Sequence, residues 1–151
     1  MANLKTFSGK VMVHKSINRL QYLCETIPPL LTAIPEKDFS FKPSPIKWSK
    51  KEILGHLIDS ATNNHQRFVR VQFEETPLIT YDQDNWNNHS YHNQVDSEHL
   101  IKFWELYNRH LVELIKLIPK ENLGRKSMTD NEKLVTLEWL IEDYVRHLEH
   151  H

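Results

Sequence analysis

The chain has 151 residues, 39% apolar and 26% charged, with 19 Lys plus Arg set against 20 Asp plus Glu. That balance excludes a general nucleic-acid binder, which needs a basic surface to neutralise phosphates. A single Cys excludes an internal disulfide and any Cys-rich zinc module.

No segment approaches the ~18 consecutive apolar residues of a membrane span, and Met1 to Asn18 is mixed and polar, without an apolar signal core. One cytoplasmic domain over residues 1–151 is expected, with neither nucleic acid nor membrane as a partner. Only three Gly are present, and no run alternates strictly enough to predict a strand. A first helical region is predicted over Ser16 to Ile34, where Ile17, Leu20, Leu23, Ile27, Leu30 and Leu31 form a stripe. Pro28-Pro29 falls inside it and predicts a kink or two short helices, because proline lacks the backbone donor and crowds the preceding turn. Pro35 closes the element. Glu36 to Lys47 reads as a connecting loop kept extended by Pro43 and Pro45.

Ser49-Lys50-Lys51-Glu52 is a capping box, so a second helix is predicted from Lys50 to about Phe73. Glu74 to Asp96 is a long polar connection, long enough for the next helix to pack beyond the nearest antiparallel position. Ser97 is the expected cap of a third helix, with Leu100, Phe103, Trp104, Tyr107, Leu111, Leu114 and Ile118 on one face and Pro119 at its end. Glu121 to Val135 reads as a loop marked by Gly124. Thr136 caps the last helix, where Leu137, Leu140, Ile141, Tyr144 and Leu148 share a face. The prediction is an all-α four-helix bundle with a long crossover between its second and third helices.

Ten residues are His, the oddity of the composition. On the second helix, His56, Ser60, Asn63 and Arg67 form one polar line beside the apolar arc of Ile53, Leu54, Leu57, Ile58, Ala61 and Phe68. Such a line is commonly a solvated face, but in bundles it can also carry cofactor groups inward. On the last helix, His147 and His151 stand one turn apart at the edge of the apolar arc. Two imidazoles at that spacing can converge on one metal ion. His56, His147 and His151 together would make an open three-His site if the second and last helices are neighbours. His150 points elsewhere. Leu148-Glu149-His150-His151 also has the form of a purification-tag junction, although Tyr144, Val145 and His147 carry one amphipathic helix into it. The other His have plainer readings: His14 near the terminus, His65 as a hydrogen-bonded core residue, His89 and His92 in the long loop, His99 in a first turn, His110 at a core edge.

Taken together, these residues resemble a known family. Trp48-Ser49-Lys50-Lys51-Glu52-Ile53-Leu54-Gly55-His56-Leu57-Ile58-Asp59-Ser60, continued by Asn63, Arg67 and Phe68, resembles the Trp-capped second-helix motif of the DinB-like proteins. It is most similar to their bacillithiol-transferase branch, whose members are also described as metal-dependent hydrolases. Glu75-Thr76-Pro77, Tyr81-Asp82 and Trp86 resemble the loop after that helix. Thr136-Leu137-Glu138 and Tyr144-Val145, followed by His147 and His151, resemble the final-helix motif.

The resemblance implies a DinB-type bundle with His56, His147 and His151 holding Zn²⁺ or Ni²⁺. It also implies a low-molecular-weight thiol of the bacillithiol type as co-substrate, an electrophilic small-molecule acceptor and a homodimer. Relatives of that branch continue past the last of these His, often through Gln-Ile. Asn63 and Arg67 are the candidate catalytic residues, with Arg67, Tyr81 and Trp86 as candidates for holding the thiol. Asp59 is a candidate to orient a ligand imidazole, although its wheel position, about 60° off His56, equally suits a plain surface carboxylate. Metal-bound water could instead serve hydrolysis, and a metal-binding, stress-associated module without turnover is the reading of another class. A di-iron bundle is excluded, because that chemistry uses two Glu-x-x-His pairs and the chain has none.

Overall fold

The computed structural model describes residues 4–151, with side chains from Met12 onward. Residues 1–3, the start of the domain expected over 1–151, lie outside the described residues.

Helix α1 runs over Leu4–Thr32, beginning well before Ser16. It also passes through Pro28 and Pro29 without dividing. Pro28 cannot donate to the carbonyl of Cys24, and Arg109 Nη2 donates to that oxygen instead, at 3.4 Å. Only one turn follows the prolines, so little of the helix depends on the missing donors. The segment read as a loop after Pro35 holds a short helix α2, Glu36–Phe39, whose Phe39 is buried.

Helix α3 spans Lys50–Arg70 behind the predicted capping box, with both reciprocal bonds between Ser49 and Glu52 formed. The long connection after it contains helix α4, Gln83–Ser90, and a 3₁₀ turn at His92–Gln94. Helix α5 covers Ser97–Leu117. Its cap is Asp96, which accepts from the His99 amide, rather than Ser97, whose hydroxyl donates to Glu36. Helix α6 spans Leu137–His150, capped by Thr136 as predicted. The loop before it is not all loop. Strands β1, Lys126–Met128, and β2, Leu134–Thr136, pair antiparallel with Ser127 opposite Val135. Three residues a side is too short a run for alternation to announce itself in sequence.

Helices α1, α3, α5 and α6 form the bundle, with α5 and α6 each touching both α1 and α3. Leu20, Phe68, Trp104, Leu111, Leu137, Ile141 and Tyr144 are buried between them. Helices α3 and α5 are direct neighbours and run in the same direction. His65 meets Tyr107, and Asn122 beyond α5 meets Gln72 beyond α3. Parallel neighbours cannot be joined by a tight turn, so the crossover must return along the bundle. Its entry is tied to the hairpin, where the Ser127 hydroxyl and the Met128 amide both donate to the Pro77 carbonyl. Arg125 also donates to the carbonyls of Val71 and Glu74. Thr76 is held there at φ 43°, a region a β-branched residue rarely adopts. No helix of the described residues is long and apolar enough to cross a membrane.

Candidate metal centre

Helices α3 and α6 are neighbours, as the predicted three-His set requires. One nitrogen from each of His56, His147 and His151 lies within 4.8 Å of the other two. The ring centroids of His56 stand 5.8 Å from His147 and 5.3 Å from His151, and those of His147 and His151 are 4.7 Å apart. His147 of α6 and His151, the residue that caps its C-terminus, bring their Nε2 atoms to 3.3 Å. Helical periodicity makes that pair, since side chains four apart stack on one face. The packing of α3 across from it supplies the third ring. His150 stays out of the group and is exposed.

His56 is 2% exposed, and its Nδ1 is buried without a hydrogen-bond partner. Trp48 lies against its ring at 5.0 Å between centroids. Burial, with His151 and His147 close by, pushes the His56 pKa down to about 4. Burial first, then His151, also lowers His147. Protonated imidazoles would repel one another at these distances, so His56 and His147 are held neutral, which is the form that ligates metal. Three converging imidazoles with an unused buried nitrogen fit a divalent metal ion.

The rest of the polar line has mixed placements. Asn63 is buried, and its amide donates back to the Asp59 carbonyl of its own helix. Arg67 is half-buried and donates through Nε and Nη2 to the Ile79 carbonyl at 3.0 and 2.8 Å, and through Nη1 to Asn64. It therefore pins the crossover to α3. Burial lowers its pKa, against the pull of Tyr81, Asp130 and Asp143. Among the described residues it has no carboxylate ion pair. Tyr81 lies half-buried beside Ser60 and Arg67, and burial raises its pKa. Trp86 is more exposed and meets the Tyr81 ring edge-on, at 5.6 Å.

Among the described residues Asp59 is hydrogen-bonded to none of the three clustered imidazoles. Its Oδ2 is bonded at 3.1 Å to Nε2 of His92, and both side chains are buried. His92, read from sequence as a plain loop residue, is the partner that sequence reasoning missed. A Cβ on Gly55 would fall 2.1 Å from Cγ of His92, so the ring lies flat against the glycine backbone. The signal was present in the Gly55 that precedes His56, a glycine inside a well-capped helix. Asn87, donating to the Glu52 carbonyl, and Asn93, bonded to Ser49 and Ser40, extend the same seam.

Comparison with known proteins agrees with this architecture. A sequence model of the DinB superfamily matches residues 19–151. Over 106 residues the chain is 31% identical to the protein of Bacillus subtilis (strain 168) named Putative metal-dependent hydrolase YfiT. That stretch covers 69% of this chain and 60% of the relative, so the match spans less than two thirds of the relative's length. A solved structure of YfiT from Bacillus subtilis, described as having an unusual four-helix bundle topology, aligns with a TM-score of 0.81. It does so at 21% identity over 91% of this chain and 80% of that one, a likeness of fold. With the bundle, its parallel crossover and a family match running from Arg19 through all three clustered His, the chain belongs to the DinB superfamily.

Proposed function

We propose that this chain is a metal-dependent enzyme that transfers a low-molecular-weight thiol of the bacillithiol type to small electrophiles. The observation that carries the reading is the convergence of His56, His147 and His151 within 4.8 Å, with no carboxylate in the group. A divalent ion on them, Zn²⁺ or Ni²⁺, supplies a Lewis acid that keeps a thiol as its thiolate, the nucleophile that displaces a leaving group from the acceptor.

The protein's own part is positioning and exclusion. Burial keeps His56 neutral at physiological pH, and Trp48 shields one face of its ring. Arg67 spends three of its five N–H groups on Ile79 and Asn64, leaving two for the anionic part of a thiol. Asn63 sits one turn before it, and Tyr81 and Trp86 cover the same side from the crossover. The single Cys fits an external thiol: Cys24 is fully buried, and burial raises its pKa to about 11. Hydrolysis is a second reading, favoured by the name of the curated relative, with water in the place of the thiol.

The test has two stages. Protein reconstituted with zinc or nickel should carry near-stoichiometric metal, and His56→Ala should lose it. Failure to retain metal would sink the proposal. A panel of low-molecular-weight thiols with an electrophilic acceptor is then assayed with and without chelator. Chelator-sensitive, thiol-dependent turnover is the expected result. Turnover without thiol selects hydrolysis, and metal without turnover leaves a binding module.

A further inference from the structure

An aliphatic cavity of about 410 Å³ opens beside the metal centre. Leu23, Ile27 and Leu31 of α1, Leu54 and Leu57 of α3, and Leu148 of α6 form its walls, and Trp104 lines its floor. Its polar lining consists of Lys50, Glu149 and His151, besides Trp104, whose buried indole N–H has no hydrogen-bond partner among the described residues. Glu149 is already taken by an ion pair with Arg19. Lys50, at the start of α3, has no carboxylate partner among the described residues. His151 is therefore shared: its ring belongs to the three-His cluster and also to the cavity wall.

We propose that this cavity is the acceptor subsite of the metal centre, and that its occupant is a small molecule with an apolar body and a polar reacting end. The volume is that of a ligand pocket, ~300–1,000 Å³. The walls offer almost no hydrogen-bond partner, so a wholly polar molecule would lose hydration without compensation. The side chains of the lining that can meet a charged or strongly polar end without an ion-pair partner of their own are Lys50 and His151, which orients the occupant with its apolar part inward and its polar end at the cluster. The placement of the reacting end rests on the metal reading above. The apolar body does not depend on it.

The probe is a series of straight-chain alkanoates from butanoate to octanoate, titrated into metal-free and metal-loaded protein by calorimetry. The dissociation constant should fall about fourfold per added methylene until the cavity is full, with the same slope with and without metal. Leu31→Trp, which fills the cavity, should abolish the gain for the longer chains while the circular dichroism stays that of the native fold. Should that variant not fold, Leu30→Gln serves, since Leu30 lines the rim and is 64% exposed. It should weaken octanoate several-fold and leave butanoate unchanged. A flat chain-length series in folded protein overturns the proposal, as does a slope untouched by the variant. A two-chain species that binds no alkanoate also overturns it and assigns the cavity to a second copy. A slope in protein that never retains metal would keep the subsite and refute the metal reading. Retained metal with a flat series would do the reverse.

Discussion

Gly55→Ala should destabilise the protein although alanine is the better helix former. In an exposed helix interior the change would gain ~0.5–1 kcal/mol. Here the new methyl would stand 2.1, 2.2 and 2.6 Å from three atoms of the His92 ring, which must leave. Its departure breaks the 3.1 Å bond to Asp59 and strands a buried carboxylate. Leaving one buried polar group unsatisfied costs ~1–3 kcal/mol, and lost packing of the ring adds to it. The net expectation is a loss of roughly 1–3 kcal/mol. The assay is urea unfolding of four proteins: wild type, Gly55→Ala, His92→Ala and the double variant. Without the imidazole the clash is gone, so Gly55→Ala should change sign and stabilise the His92→Ala background by up to ~1 kcal/mol. An equal loss in both backgrounds would refute the reasoning, because the glycine would then matter for something other than His92.

Three further outcomes are expected. In metal-free protein His56 titrates near 4 when folded and near its ordinary 6.5 when unfolded, so the unfolded chain takes up the proton first. Stability is then full above about pH 6.5 and falls as pH drops towards 4, by an amount on the order of 2–3 kcal/mol. His56→Gln should shrink that fall in stepped-pH urea unfolding, with the lowered His147 keeping part of it, and a flat wild-type profile would contradict it. Cys24, buried and with its pKa raised to about 11, should resist thiol reagents at pH 8 in folded protein and react at once in urea. Tyr144→Phe removes the buried hydroxyl that donates to Asn108 Oδ1 and should cost ~1–3 kcal/mol in chemical denaturation. Adding Asn108→Leu should cost less than the two single changes summed.

The parts legible in sequence were those governed by short-range periodicity. The capping box at Ser49, the faces of α3, α5 and α6, and the pairing of His147 with His151 all follow from residues within two turns of one another. Features that depend on a distant partner were not legible. Two prolines forecast a break in α1, and the relief comes from Arg109, far along the chain on α5. Asp59 was a candidate for a ligand imidazole on the habit of carboxylates near metal-binding His, but the crossover folds back and offers it His92. Helix α4 is eight residues of Asn, Asp, Gln, Ser, His and one Trp, too polar for any stripe. Its stability comes from the cap of Asp82 and from Asn87 reaching the Glu52 carbonyl.

The three-His group also bears on when an ion can bind during folding. Two donors sit one turn apart, on the last turn of α6 and at its C-cap, and the neighbouring α3 contributes the third. An isolated α6 segment offers at most a weak bidentate grip, and the long loop between the two helices must close before the set is complete. Strong affinity therefore appears only in the native state, so an ion would not nucleate the fold as it does in a zinc finger. It would stabilise a bundle already formed, by an amount that grows with the logarithm of free metal. Loading should accordingly slow unfolding far more than it speeds folding.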